Sequence, residues 1–313
     1  MILITGGTGF IGQALIRHLA DSGYSMRILI RPSSISPNLP HGVPIEVSVS
    51  SLNDERGLRA SMVGVDTVYH LASGEWRGAY ASLVDIDIRG TQNVIAMAAD
   101  AKVRRIFYLS HLGADRASAY PVMKAKAISE EYIRRSGISY TILRTAVVYG
   151  MNDGITTGLA QLLSTFPRFF LVPGDGQNLI QPLWVEDLAT CLVWALDDEL
   201  TVNQLFEIGG PEYLTFNQIV ITVMRALGLR RNLIHLQPPL LRAITVFLES
   251  LLPASPVSVY WLDYLATNRT CALDSIPRTF KLMPVRFGQR LDYLKDQNWR
   301  RDAIRSIRRR RPV

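Results

Sequence analysis

Apolar residues along the first 145 positions follow two alternating periodicities. Short continuous apolar runs alternate with segments in which apolar residues return every three or four positions. The second kind of segment predicts helices near residues 88–100 and 120–136. Alternating strands and helices are typical of an α/β fold with a doubly wound parallel sheet. The short apolar runs that predict strands lie at residues 1–4, 25–30, 45–49, 67–72, 105–109 and 140–143.

Turn signals and helical periodicity also mark the second half of the chain. Glycine and proline turns at residues 173–176 and 209–211 bracket a predicted helix at 185–197. Thr215 is in position to cap a further helix near residues 215–227. The strict alternation of strands and helices weakens here, which predicts a smaller lobe.

The pattern divides the chain into three parts. We expect residues 1–150 to form the main sheet domain, completed by segments from about 178–210. Residues 151–298 are expected to form mainly a smaller α/β lobe, and residues 299–313 form a basic tail.

The first predicted strand runs directly into a glycine-rich turn, Thr5-Gly6-Gly7-Thr8-Gly9-Phe10-Ile11-Gly12, called the glycine turn below. Gly7, Gly9 and Gly12 satisfy G-x-G-x-x-G. In that motif one glycine makes the turn, one lets the backbone approach a pyrophosphate, and one allows close packing of helix on strand. The N–H groups at the start of the following helix would face the phosphates. The turn therefore predicts a dinucleotide site.

Arg31 follows the second predicted strand, where a site selective for NAD places an acidic residue on the ribose hydroxyls. A guanidinium followed by Ser33 and Ser34 suits a 2′-phosphate. The charge at this position favours NADP(H) over NAD(H). The alternative is an exposed arginine at a strand end.

Charge is distributed unevenly along the chain, which has 34 Lys and Arg residues, 27 Asp and Glu residues and a net charge of +7. Residues 295–313 contain eight basic and two acidic residues and so account for +6. The rest of the chain, residues 1–294, is therefore nearly neutral, which argues against a nucleic-acid-binding groove there. The apolar share of 48% predicts a folded chain with a large core and excludes extensive disorder.

Cysteines and histidines give no signal of a disulfide scaffold or a metal site. Cys191 and Cys271 are far apart in sequence, and we expect both to be buried. His18, His41 and His235 lack metal-ligand spacing, so no metal is expected. No apolar run reaches the ~18–20 residues of a membrane-spanning helix, and no charged leader is evident. We expect an intracellular, cytoplasmic protein.

Taken together, several motifs resemble those of the extended or atypical short-chain dehydrogenases/reductases. The pattern is most similar to the atypical subgroup that includes the large nucleotide-binding accessory subunit of respiratory complex I. The resemblance covers residues 1–230 well and 231–300 loosely. It implies a Rossmann sheet, NAD(P)(H) as cofactor and a second lobe that closes over the nicotinamide end. The motifs are the glycine turn, His70-Leu71-Ala72, Gly90-Thr91-Gln92-Asn93, Tyr120-x-x-x-Lys124, Ile142-Leu143-Arg144, Pro173-Gly174-Asp175-Gly176, the segment from Gln181 to Ala189, and Gly209-Gly210-Pro211.

The resemblance also implies which residues contact the cofactor. Ser51 stands where many relatives have an aspartate facing the adenine amino group, so its contact is neutral and weaker. The expected contacts are Gly6, Thr8, Gly9, Phe10, Ile11, Gly12, Arg31, Ser51, Leu52, Leu71, Ala72, Ser73, Ser110, Tyr120, Lys124 and Val147.

Tyr120 and Lys124 are the predicted catalytic residues. Four positions apart on a helix, their side chains would share one face. An ammonium beside a phenol stabilises the phenolate, so Tyr120 could donate or accept a proton near neutral pH. In the resembled family the tyrosine is the general acid/base, and the lysine also holds the nicotinamide ribose.

Two positions depart from the family pattern. The hydroxyl that binds the substrate carbonyl in relatives falls on Leu112, and a common asparagine is matched by Asp87. Ser110 is expected to contact the cofactor, and Ser118 is a candidate substitute for the missing hydroxyl. Loss of a donor aimed at developing charge costs about 2.7–4 kcal/mol of transition-state stabilisation. Cofactor binding is therefore better supported than turnover.

The loop after the fourth predicted strand is a further candidate. Glu75, Trp76 and Arg77 either line a substrate pocket or cap the loop. His70 lies within an apolar strand, and we expect it to supply backbone contacts rather than to bind a ligand.

The basic tail and one apolar segment indicate which partners the protein could bind. Trp299, Ala303 and Ile307 recur every four positions among arginines, and a basic amphipathic helix is typical of binding to an anionic membrane surface. The alternatives are a solvated end or a protein partner, with nucleic acid least favoured. Residues 238–252 predict an apolar helix, either buried or forming an interface.

Two hypotheses of function follow. The leading one is an NADP(H)-preferring protein of the short-chain dehydrogenase/reductase type. It would transfer hydride to or from an unknown carbonyl, hydroxyl or sugar-like substrate, with epimerase/dehydratase-like chemistry as a variant. The alternative is a non-catalytic nucleotide-binding accessory or assembly factor that docks peripherally on a membrane complex through residues 238–252 and the tail.

Overall fold

The computed structural model describes residues 1–33, 36–37, 39–75, 82–251, 258–295 and 297–308. Its strands are β1 (Ile2–Thr5), β2 (Met26–Ile30), β3 (Glu46–Val49), β4 (Thr67–His70), β5 (Arg105–His111), β6 (Ser139–Thr145), β7 (Val148–Tyr149), β8 (Phe169–Pro173), β9 (Leu179–Ile180), β10 (Leu183–Trp184), β11 (Gln204–Ile208), β12 (Leu214–Thr215) and β13 (Asn232–Leu236). Its helices are α1 (Phe10–Asp21), α2 (Glu55–Ser61), α3 (Gly90–Asp100), α4 (Pro121–Arg135), α5 (Thr156–Thr165), α6 (Val185–Asp197), α7 (Phe216–Ala226), α8 (Pro238–Leu251), α9 (Val259–Leu265), α10 (Ser275–Phe280) and α11 (Trp299–Arg308).

Seven strands form one parallel sheet in the order β3-β2-β1-β4-β5-β6-β11. The chain builds the sheet outward from β1 in one direction and then returns to β4 and builds in the other. The topological switch point therefore lies between the carboxyl ends of β1 and β4, where doubly wound folds bind ligands. The predicted doubly wound α/β fold is confirmed.

Apolar side chains cover both faces of this sheet. On one face, residues of α1, α6 and α10 pack against alternate strand positions such as Ile4 and Ile28. On the other face, residues of α2 and α3 pack against the neighbouring positions Leu3 and Leu29. This alternation places every central strand in a core, which fixes its register.

The second lobe has a separate core formed by residues of α5, α7, α9 and α11. Helix α11 packs against α5, and its Trp299 and Ala303 are buried there. Trp299 Nε1 donates to the Leu294 carbonyl oxygen at 2.8 Å. The tail thus begins as the predicted amphipathic helix, but Trp299 and Ala303 face the protein core. Residues 309–313 lie outside the described part of the chain.

Helix α8 is half-buried. Its Leu241 and Thr245 are buried, whereas Leu240, Val246 and Phe247 are exposed. Residue 252 of the predicted apolar segment lies outside the described residues. Within the residues that the structure describes, no helix is long and apolar enough to cross a bilayer.

Two local expectations need correction. Cys191 is buried as expected, but Cys271 is only half-buried. The helix predicted from residue 88 begins as a π-helix at Val84–Arg89, which continues into α3. This widened turn carries Asp87 into the interior, where the side chain is 1% exposed.

Candidate functional site

The glycine turn joins β1 to α1 at the switch point. Gly6 has a φ of +74°, and a Cβ there would lie 2.7 Å from Ala72 N and from the Leu71 carbonyl carbon. Because these are backbone atoms of the chain following β4, only glycine fits. Gly6, rather than a glycine of the G-x-G-x-x-G set, therefore makes the tight turn.

The other glycines of the turn divide the remaining roles. A Cβ at Gly12 would lie 2.4 Å from the Gly6 carbonyl oxygen, so α1 packs directly on the turn. A Cβ at Gly7 would lie 2.7 Å from Ile28 Cγ2, so Gly7 faces the core. Gly9 is the N-cap of α1, whose first turn contains no acidic residue. The positive end of this helix dipole is therefore suited to a pyrophosphate.

The residues expected near the adenosine half lie at the carboxyl ends of β2 and β3. Arg31 directly follows β2 and is exposed, as is Ser33, whereas Ser34 lies outside the described residues. Ser51 Oγ accepts a hydrogen bond from Asn53 N at 3.0 Å. Leu52 lies against Gly90 at the start of α3.

The side chain of His70 links the ends of β1 and β4 to α3. Thr91 Oγ1 donates to the Asp87 carbonyl oxygen, so it accepts from His70 Nε2 at 2.9 Å. His70 Nδ1 is then left to accept from Thr5 Oγ1 at 2.7 Å. Burial, with a contribution from Lys126, lowers the pKa of His70 to about 3 and keeps it neutral. His70 therefore acts through its side chain, beyond the backbone contacts expected from the sequence.

Four ionisable side chains meet at the carboxyl ends of β4 and β5: Glu75, Asp87, His111 and Lys126, called the charged cluster below. Lys126 Nζ lies 3.6 Å from Asp87 Oδ1 and 3.9 Å from Glu75 Oε2. It also lies 3.4 Å from the Leu109 carbonyl oxygen and 5.3 Å from the centre of the Tyr108 ring. His111 Nε2 lies 2.7 Å from Glu75 Oε2.

Electrostatics keep Glu75 and Lys126 of this cluster ionised in spite of their burial. Burial alone would raise the pKa of Glu75, but His111 and Lys126 outweigh it and lower the pKa to about 2. Burial alone would lower the pKa of Lys126, but Tyr108, Glu75 and Asp87 hold it above its usual range. A permanent ammonium is therefore fixed next to the end of β5.

Hydrogen bonds to the Asp87 carboxylate position the chain after β4. Asp87 accepts from Ser73 Oγ at 2.7 Å and from Gly74 N at 2.9 Å. Leu71 N donates to the Thr5 carbonyl oxygen at 3.1 Å. The loop residue Glu75 joins the charged cluster, whereas Trp76 and Arg77 lie outside the described residues.

The second lobe covers this end of the sheet. The Tyr260 and Tyr264 rings of α9 each lie 6.2 Å from the His111 ring. Val147 is buried in the core of the second lobe. Among the described residues, Ser110 Oγ and His111 Nδ1 are buried without a hydrogen-bond partner. Such atoms fit the polar groups of a bound cofactor or substrate.

Tyr120 and Lys124 do not form the expected helical pair. Tyr120 precedes Pro121, which disfavours helical backbone before it, and has φ −89° and ψ 117°. Its ring lies 5.9 Å from Arg269 Cζ, whereas Lys124 is exposed in the first turn of α4. The prediction of one shared helical face is therefore wrong. Ser118 Oγ accepts from Tyr120 N at 3.1 Å.

Sequence reasoning missed Lys126 and His111. Helical spacing from Met123 through Ala127 to Ile133 marks the buried face of α4, and Lys126 lies on that face while Lys124 does not. No comparable sequence signal marks His111. The neighbouring Leu112 is 2% exposed, and its carbonyl oxygen accepts from Arg269 Nη1 at 3.1 Å.

Comparisons with known proteins agree with this geometry. The profile of the NAD(P)H-binding family matches residues 6–165. The chain is 25% identical over 309 residues to the NADH dehydrogenase [ubiquinone] 1 alpha subcomplex subunit 9 of Arabidopsis thaliana mitochondria, covering 91% of this chain and 76% of that protein. It is 28% identical over 241 residues to the ceramide reductase of Caulobacter vibrioides, covering 76% and 74%.

A solved structure has the same fold. The NADPH-dependent quinone oxidoreductase QOR2 of Escherichia coli, complexed with NADPH, aligns with a TM-score of 0.72 at 19% identity over 94% of this chain and 99% of that one. The family profile, the switch-point glycine turn and the relatives lead to one conclusion. The chain belongs to the NAD(P)H-binding family and is an extended short-chain dehydrogenase/reductase-like protein.

Proposed function

We propose that the chain binds NADP(H) in preference to NAD(H) and moves a hydride between that cofactor and a small carbonyl or hydroxyl compound. The observation that carries this proposal is the buried ammonium of Lys126 between Glu75 and Asp87. A pyrophosphate at the start of α1 would direct the nicotinamide half toward this edge of the sheet. A buried charged group beside a ligand cleft is typical of a functional site.

Lys126 is suited to bind the ribose of the nicotinamide half. Its distances to the Leu109 carbonyl oxygen, Asp87 and Glu75 are all 3.4 Å or longer. A ribose hydroxyl could therefore form a shorter hydrogen bond with Nζ than these partners do. We assign to Lys126 the contact that the family resemblance gave to Lys124.

Arg31 supports the preference for NADP(H). It occupies the end of β2 with its side chain exposed, where the ribose of the adenosine half is expected. A guanidinium can bind a 2′-phosphate through two N–H groups. The names of two relatives, a ceramide reductase and an NADPH-dependent quinone oxidoreductase, support reductase chemistry.

The test is a fluorescence titration of the full chain with NADPH and with NADH, followed by the variant Arg31→Ala. We expect tighter binding of NADPH, and we expect Arg31→Ala to weaken NADPH about tenfold while leaving NADH unchanged. Arg104→Ala is the matched control, because Arg104 is exposed and pairs with Asp66 at the amino ends of the strands, opposite the predicted cofactor site. Failure to bind either cofactor would overturn the proposal, and tighter binding of NADH would overturn the role of Arg31.

A non-catalytic accessory or assembly factor is the second candidate. Val122 stands four positions before Lys126, so that helix face offers no phenol to the buried ammonium. The Arabidopsis thaliana relative is named as a subunit of NADH dehydrogenase, which also favours this candidate. A chain that binds NADPH but oxidises it with no carbonyl compound would support it.

Docking on an anionic surface can be tested without disturbing the second lobe. Arg300, Arg301 and Arg305 are exposed on α11, whereas Trp299 and Ala303 are buried. We expect the triple change of these arginines to Gln to weaken binding to phosphatidylglycerol vesicles, because each charge contributes about 1 kcal/mol near such a surface. Equal binding of parent and variant would exclude the arginines as the docking surface.

A further inference from the structure

The charged cluster contains an imidazole to which the proposed cofactor contacts assign no role. His111 is the last residue of β5, and its side chain is 14% exposed. Nε2 bonds to Glu75, while Nδ1 is buried and has no partner among the described residues. An unsatisfied buried nitrogen costs free energy, so Nδ1 is an atom to which a ligand oxygen would bind favourably.

Glu75 orients this imidazole and is itself held in place. Ser73 Oγ lies 3.3 Å from Glu75 Oε2 and 2.7 Å from Asp87 Oδ1. Lys126 lies between the two carboxylates. A carboxylate fixed on one imidazole nitrogen stabilises the imidazolium and leaves the other nitrogen to transfer a proton.

Charge and enclosure favour proton transfer at the same place. Two carboxylates and the single ammonium of Lys126 meet beside the imidazole, so the cluster offers a proton donor both negative counter-charge and fixed geometry. The rings of Tyr260 and Tyr264 cover the imidazole. Burial raises the pKa of both phenols, so they stay neutral at physiological pH. The second lobe thereby shields His111 without contributing a competing charge.

We propose that His111, rather than Tyr120, is the catalytic acid/base of hydride transfer, with Glu75 as its positioning residue. This inference rests on the proposed function. In reduction, the carbonyl carbon gains a hydride from NADPH, which is oxidised to NADP⁺. The π electron pair of the carbonyl moves to its oxygen, which takes the Nδ1 proton of protonated His111 and becomes a hydroxyl. Solvent then returns a proton to the neutral imidazole.

The test compares His111→Gln with Tyr120→Phe at saturating NADPH. The carbonyl probes are ethyl 3-oxobutanoate, ethyl 2-oxopropanoate and 1,4-benzoquinone, and NADPH oxidation is followed by absorbance. We expect His111→Gln to lower kcat at least 100-fold, within the range of general acid catalysis, and Tyr120→Phe to lower it less than threefold. The dissociation constant of NADPH should change less than threefold in both variants, which shows that each remains folded.

Glu75→Gln supplies a second readout. Glu75 and Lys126 are the charges that face His111 from the β4 loop and α4, and neutral Tyr260 and Tyr264 face it from α9. Glu75→Gln removes the negative charge that stabilises a cationic imidazole, so the fall in reduction rate with rising pH should move to lower pH. Glu75→Asp should restore the parent profile in part. A purely structural Glu75 would lower stability and leave the profile in place.

The outcomes separate the two proposals. An active parent with an active His111→Gln variant, or with an inactive Tyr120→Phe variant, would overturn the role of His111 and leave the proposed function intact. A parent that binds NADPH but reduces none of the probes would overturn hydride transfer and, with it, any acid/base role for His111.

Discussion

Arg144 and Glu130 join β6 to α4 through two parallel hydrogen bonds, Nε to Oε1 at 2.9 Å and Nη2 to Oε2 at 2.7 Å. Glu130 is fully buried, and Arg144 keeps about a fifth of its side chain exposed. The pair explains physically why an arginine ends the Ile142-Leu143-Arg144 motif. It ties the helix that carries Lys126 to the sheet.

Removing the carboxylate of this pair should destabilise the fold. Glu130→Gln leaves the guanidinium only its longer and more exposed pair with Glu207 at 3.5 Å, and loss of one partner of a buried pair costs about 3 kcal/mol. Glu131→Gln is the matched control, because its pairs with Arg134 and Arg135 lie at the surface and should cost about 0.5 kcal/mol. Chemical denaturation monitored by circular dichroism measures both, and equal losses would contradict a special role for Glu130.

Lys126 and Lys124 offer a direct comparison of the buried and exposed lysines of α4. We expect Lys126→Met to weaken NADPH binding at least tenfold, about 1.4 kcal/mol, because the ammonium is lost and two carboxylates are left without it. Lys124→Met should change the affinity less than twofold, because Lys124 is exposed. Isothermal titration with NADPH measures both constants. A stronger effect at Lys124 would restore the pair predicted from the sequence.

Asp153 should make the fold more stable as the pH falls, which is the opposite of the usual effect of a carboxylate. Its carboxylate accepts from Gly150 N, Thr156 Oγ1 and Thr157 N, yet burial raises its pKa to about 6. The folded state then binds a proton more tightly than the unfolded state, so protonation stabilises the fold as the pH falls from about 6 to about 4.

Asp153→Asn isolates this effect, because other titrating groups such as His70 contribute equally to parent and variant. The free energy of unfolding of the parent should rise relative to the variant by about 2 kcal/mol between pH 7 and pH 4. Urea denaturation at several pH values provides the measurement. A difference that shrinks as the pH falls would disprove the assignment.

Thr215 and Gln218 form a reciprocal cap at the start of α7. Gln218 N donates to Thr215 Oγ1 at 3.1 Å, and Thr215 N donates to Gln218 Oε1 at 2.8 Å. Thr215→Ala should therefore cost about 1 kcal/mol of stability, whereas Thr215→Ser should cost a few tenths of that. Thermal denaturation of the two variants distinguishes them, and equal values would argue against the cap.

Local chemistry explains what the sequence predicted well. The strand, the glycine turn and α1 follow one another within 21 residues, and the cap of α7 is a four-residue motif. Helix α6 has the predicted bounds, because a turn precedes it and its apolar spacing is regular. In each case the deciding contacts lie close together in the chain.

The sequence pointed to Glu75 and Asp87 separately, but their contacts with His111 and Lys126 were missed because these contacts are distant in sequence. Glu75 meets His111 across 36 positions, and Tyr260 approaches His111 across 149. The sequence analysis chose Lys124 over Lys126 by assuming that Tyr120 and Lys124 lie on one helix. In the structure α4 begins at Pro121, one residue after Tyr120. The rotation of that helix against the sheet decides which lysine is buried, and the apolar spacing of Met123, Ala127 and Ile133 is its signal in the sequence.

Helix α11 is amphipathic because it packs on its own protein. Its buried Trp299 forms part of the second core, so a partner that seeks the apolar side of this helix must first pull the indole out of that core. Engagement of that kind would change the surroundings of the indole, and with them its emission, and would loosen the lobe that covers His111. Binding to the arginines alone would leave the emission unchanged. The fluorescence of Trp299 therefore distinguishes a partner that binds the apolar side of α11 from one that binds its arginines.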